Sequence, residues 1–175
     1  MRKRTLLPLS LALTGVLCLS LAAGTAFAGI EQERVRIRLL GAEEVPTNVH
    51  GNRDRGSVTV FFEEEDESED GAEGSTTEIC FRFGRLTLTE GEALPTAGHI
   101  HLKNPGQPTG GIILHIFGSG DGVAPPVSYP TAKICRQAPV ELVEDISRHP
   151  ERYYINLHNP THPSGVVRGD FPEDL

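Results

Sequence analysis

The sequence predicts an all-β domain, an antiparallel sandwich or barrel with one short helix. Three observations carry that expectation: apolar residues alternate with polar ones over short runs, turn chemistry separates the runs, and only one segment has helical spacing. The 175 residues include 13 Pro and 19 Gly, which suits about seven or eight short strands joined by tight connections.

The elements follow in order. In "ERVRIRLL", Val35, Ile37 and Leu39 alternate with Arg34, Arg36 and Arg38, the period-2 pattern of a strand with one wet face. "SVTVFFE" repeats it with Val58, Val60 and Phe62, and "EICFRF" with Ile79, Phe81 and Phe83. Beyond Gly84 the phase shifts, because Leu86 and Leu88 fall on even numbers. That predicts a bulge. "GIILHIF" is apolar at both parities and reads as a central strand. From Val140 through Val143 and Ile146 to Ser147 the spacing is helical, with Pro139 at the start and His149-Pro150 as the stop. "RYYINLH" and "GVVRGDF" close the domain.

Residues 1–28 read as a secretory signal peptide. Arg2, Lys3 and Arg4 precede an apolar run from Leu6 to Ala23, and Ala26-Phe27-Ala28 offers small residues for cleavage. Residues 29–175 are then a single domain, extracytoplasmic (secreted or periplasmic) and without a membrane anchor once the leader is gone. Within it, residues 63–74, "EEEDESEDGAEG", form an acidic stretch whose charges repel one another, which predicts a flexible hairpin loop. Taking the three basic leader residues from the formal net charge of −8 leaves −11. So acidic a chain argues against nucleic acid as a partner and leaves metal ions or extracytoplasmic proteins. The mature chain keeps two cysteines, Cys80 and Cys135. An even count in an exported chain points to one disulfide, two buried thiols being the alternative.

The chemistry sits in "AGHIHL". On a strand, His99 and His101 leave the same face with Cα atoms about 6–7 Å apart, while Ile100 points into the core. Two such rings can converge on one ion with bonds of about 2.0–2.1 Å, given a third ligand. His158 is the best candidate, sharing a face with Asn156 in "YYINLHN". His162, in the following "HNPTHPSG", is a second candidate. His115 reads as interior packing, and His50 and His149 as surface residues. An imidazole set suits copper or zinc, whereas calcium and magnesium prefer oxygen. Glu43, Glu44 and Asp170 are carboxylates with no place assigned by sequence. No catalytic motif is evident, and enzymatic activity is not expected.

Four motifs, "LLGAEEVP", "AGHIHL", "YYINLHNPTHPSG" and "VVRGDF", come in an order that resembles the CHRD domain, found in chordin and in secreted bacterial proteins. The resemblance implies a non-enzymatic, extracytoplasmic β module and a Cys80–Cys135 bridge. It brings forward His99, His101 and His158, with Arg168 from the "RG" motif. The family's usual ending has a glutamate where this chain has Val166 and a glutamine where it has Asp170. The build expected is immunoglobulin-like or copper–zinc superoxide dismutase-like. Three readings follow: a binding module with a copper or zinc site, a metal-free interaction module whose histidines are hydrogen-bonded struts, or a superoxide dismutase-like metalloenzyme.

Overall fold

A computed structural model describes residues 34–46, 53–62, 75–118, 122–173 and 175. The signal peptide expected at 1–28, His50 and the acidic stretch at 63–74 lie outside the described residues.

Eight strands and one helix make up the domain: β1 (Arg34–Leu40), β2 (Arg55–Phe62), β3 (Thr76–Phe83), β4 (Ala97–Lys103), β5 (Gly110–Phe117), β6 (Ile134–Pro139), α1 (Val140–Arg148), β7 (Tyr153–His158) and β8 (Val167–Asp170). Short 3-10 turns occupy Gly41–Glu43 and Pro150–Arg152. All strand pairings are antiparallel, in the order β5-β4-β7-β8-β1-β2-β3-β6. The outermost strands of that order, β5 and β6, touch, so the sheet curls into a nearly closed barrel. Around it β4, β5 and β6 run in sequence and β7 returns beside β4, a Greek-key order. The expected all-β fold is therefore the observed one.

Alternation decides which side chains fill the barrel. Val35, Ile37, Leu39, Val58, Val60, Ile79, Phe81, Phe83, Ile100, Ile155 and Leu157 are all buried in one core. Phe83 of β3 and Phe117 of β5 meet edge to face across it, ring centroids 5.6 Å apart. Helix α1 packs against β3 and β6 with Ile146 fully buried. It begins directly after Pro139, as the sequence predicts, and its Asp145 carboxylate accepts hydrogen bonds from the Tyr153 hydroxyl and from Arg152.

Two local features break the alternation. The bulge expected at Gly84 is present: Val58 pairs with Phe83, but the next bridge joins Arg55 to Thr87, so one extra residue sits on the β3 side. Strand β5 departs from its reading as a central strand. It ends the hydrogen-bonded order, and register shifts leave Ile113 and Ile116 without partners on β4. Those shifts explain the apolar residues at both parities, since each extra residue resets which side faces inward. The seam between the two halves is narrow, with Leu40 of β1 paired to Arg168 of β8. There a side chain at Gly169 would collide with the Arg38 carbonyl, so glycine is required for the close approach. Cys80 and Cys135 are register partners on β3 and β6 and form a disulfide.

Candidate metal centre

The residues that alternate away from the core on β4, β7 and β8 form one polar layer on the outer face of the sheet. Register places His115, His99, Asn156 and Arg168 in one row across β5, β4, β7 and β8. His101, Tyr154 and Asp170 form the next row. His99, His101, Asn156 and Arg168 are buried despite lying outside the barrel. The turn at Gly41–Glu43 brings Glu44 against this layer, and the chain after β7 supplies Pro163, Ser164 and Gly165.

His99 and His101 share a face, and His158, the candidate third ligand, lies beside them. Each offers a ring nitrogen, and those nitrogens lie within 4.8 Å of one another. The His99 ring centroid is 5.7 Å from that of His101 and 5.0 Å from that of His158. Two rings are oriented by backbone carbonyls. His101 Nδ1 donates to Gly110 O at 3.2 Å, and His158 Nδ1 donates to Pro163 O at 3.0 Å. A carbonyl can only accept, so these contacts set the tautomer and leave the lone pair on Nε2. Nε2 of both residues is buried without a hydrogen-bond partner. Burial holds both imidazoles below the ordinary histidine range, and for His101 the positive charges of His158 and Arg168 act in the same direction.

The surrounding groups explain how the rings stay in place. Tyr154 lies flat against His101, centroids 4.7 Å apart and planes 9° from parallel, with the Arg168 guanidinium 3.6 Å from its ring centroid. Arg168 is pinned in turn by Asp170 Oδ1 at 2.9 Å, while the other Asp170 oxygen takes Lys103 Nζ at 2.6 Å. Asp170 is thus committed to two cations. Asn156 donates to Glu44 Oε2 and to Ser164 O, both at 3.3 Å. Burial pushes the Glu44 carboxyl up to about 8, against the pull of the Asn156 amide and of Arg168. Gly165, at φ 141°, lies where a side chain would collide with that carboxylate.

Other placements differ from the expectation. His162 is held by Glu92, Nε2 to Oε1 2.9 Å, and not by the trio. Glu92 also accepts from Thr161 and Asn159, which ties down the loop that presents the Pro163 carbonyl. His115, read as packing, is the cross-strand partner of His99, with ring centroids 4.7 Å apart. The parity rule missed it because the β5 register shifts hide its face; the signal that would find it is the short "KNPGQPTG" connection, which folds β5 back onto β4. Tyr154 was missed, and Glu44 was named without a place, for a different reason, since long-range packing alone brings them to the histidines. Among the described residues the other cluster able to hold a metal is Glu78, Cys80 and Cys135, whose cysteines form the disulfide. No second histidine–aspartate centre accompanies the trio among those residues.

A family model described as the CHRD domain matches residues 35–171, nearly all of the described domain. No curated protein and no solved structure matches the chain.

Proposed function

Since the chain belongs to the CHRD domain family, we propose that it acts outside the cytoplasm as a binding module whose His99, His101 and His158 hold one copper or zinc ion. The observation that carries the reading is the buried pair of Nε2 lone pairs on His101 and His158, with the opposite nitrogen of each ring tied to a carbonyl. Metal-ligating histidines are oriented in this way, because the second hydrogen bond fixes the tautomer and strengthens the ligating nitrogen. A tetrahedral ion with bonds of about 2.0–2.1 Å sets its ligand nitrogens about 3.4 Å apart. Ring nitrogens already within 4.8 Å of one another lie near that spacing. The ordinary stiffness of the site then favours occupancy, since Tyr154 and Arg168 stack behind His101. The disulfide and the family are consistent with an oxidising, extracytoplasmic compartment.

The site is better suited to holding an ion than to turning over a substrate. Among the described residues, the carboxyls raised by burial beside this layer are Glu43 and Glu44, and Glu44 is engaged by Asn156. The metal-free alternative treats the imidazoles as struts bonded to Gly110 and Pro163. Thermal unfolding of the purified protein with added copper or zinc, and then with chelator, separates the two. A ligand at roughly a thousandfold above its dissociation constant adds about 4 kcal/mol to stability, or roughly 10 °C in Tm. The His99→Ala/His101→Ala variant is expected to lose that increment. Equal metal-induced stabilisation of variant and parent, or none in the parent, would remove the metal reading.

A further inference from the structure

A second surface is independent of the histidines. On β1 the residues that alternate away from Val35, Ile37 and Leu39 are Arg34, Arg36 and Arg38, all exposed and about 6.6–6.8 Å apart along the strand. Register sets Ser57 opposite Arg38 and Arg55 opposite Leu40 on β2. The extra residue at the Gly84 bulge turns Arg85 and Thr87 to this same outer side, with Thr87 bridged to Arg55. The outcome is a groove of about 820 Å³ lined by Arg36, Arg38, Arg55 and Arg85 around Ser57 and Thr87.

We propose that this groove binds a polyanion bearing phosphate or sulfate groups. Four guanidinium groups share one face of a chain whose formal net charge is −8. Arg36 donates to Ser57 Oγ at 3.3 Å, while burial raises the Glu43 carboxyl against an opposing pull from Arg38. Among the described residues none of the four makes an ion pair within 4.0 Å. Like charges on neighbouring strands repel, so a bound counter-charge would stabilise the cluster. Guanidinium forks match the oxygen geometry of phosphate and sulfate, which they take in pairs of parallel hydrogen bonds. The cations also continue along the face. Arg82 lies over the Phe61 ring at 5.6 Å, extending the positive track beyond the groove. A linear ligand with repeated charges fits that track better than one isolated anion. The acidic overall charge argues against nucleic acid; the segregation of arginines onto one face supplies a local field that net charge conceals.

Calorimetric titration of the purified protein with tripolyphosphate, orthophosphate and a heparin-type sulfated oligosaccharide tests this. Saturable binding of tripolyphosphate or the oligosaccharide is expected, roughly tenfold or more tighter than orthophosphate and weakening steeply with salt. The two polyanions distinguish phosphate from sulfate esters as the source. Arg38→Ala/Arg85→Ala should weaken binding roughly tenfold with a Tm no lower than the parent's, and Arg38→Lys/Arg85→Lys, which keeps charge but loses the forks, should weaken it by a smaller factor. Arg148→Ala/Arg152→Ala, an equal charge change on α1 and the turn after it, should leave binding as it was. Equal loss in both alanine pairs, no saturable binding of either polyanion, or binding confined to phosphatidylglycerol vesicles would each overturn the proposal.

Discussion

At the residue scale the histidine layer is governed by burial of groups that would rather be solvated. Glu44 is the clearest case, because its carboxyl is raised to about 8 by burial and its Oε1 has no hydrogen-bond partner. A folded pKa above the unfolded one means that the protonated form stabilises the fold fully below about 4.5. That contribution is lost as pH rises through about 8. His101 and His158 have the opposite sign: burial lowers their pKa values, so their contribution is present above the unfolded value near 6.5 and is lost as pH falls. Glu44→Gln copies the neutral acid at every pH. We therefore expect its stability to lose the decline between pH 5 and 8 expected of the parent, a difference of about 5 kcal/mol or less at the alkaline end. Parallel pH profiles for the two proteins would show that Glu44 is ionised in the fold.

Among the elements, β3 and β6 show how a covalent tie and a ladder act together. Cys80 and Cys135 are 55 residues apart in sequence and register partners in space. In the chain-entropy model a loop of that length stabilises the fold by about 4 kcal/mol. The Cys80→Ser/Cys135→Ser variant should lower the urea midpoint accordingly without changing the strand content seen by circular dichroism. An unchanged midpoint would mean that the ladder alone fixes the pairing. Strand β1 was legible because its two faces differ completely in chemistry, arginine against aliphatic. Strand β5 was not, since two unpaired residues erase the alternation from which a face is read. The arginine groove shows both cases at once: β1 presents its cations in plain alternation, while Arg85 reaches them only through a bulge.

For the whole molecule, one apolar core joins the two halves of the barrel. Phe83 and Phe117 belong to strands far apart in the hydrogen-bonded order, and they meet inside. Phe117→Ala should cost about 3–5 kcal/mol, by lost transfer energy and an unfilled cavity. Because Phe117 lies on the same strand as His115 and pairs with Gly98 beside His99, the cavity should also loosen the histidine layer. Urea unfolding measures the first effect and affinity for the proposed copper or zinc ion the second; a loss of stability with unaltered affinity would mean that core and site are uncoupled.

Alternation and turn chemistry are local properties, and they alone were enough to predict an all-β domain, the helix after Pro139, the bulge at Gly84 and the shared face of His99 and His101. The family resemblance was legible too, because its motifs lie on strands and the turns beside them, whose order survives in one dimension. What the sequence could not carry is proximity between elements. Barrel closure sets Glu44 beside Asn156, Arg168 behind Tyr154 and His115 beside His99, and it gathers arginines from three segments around Ser57. Each of those meetings depends on register and curvature, which arise only when the strands pack against one another.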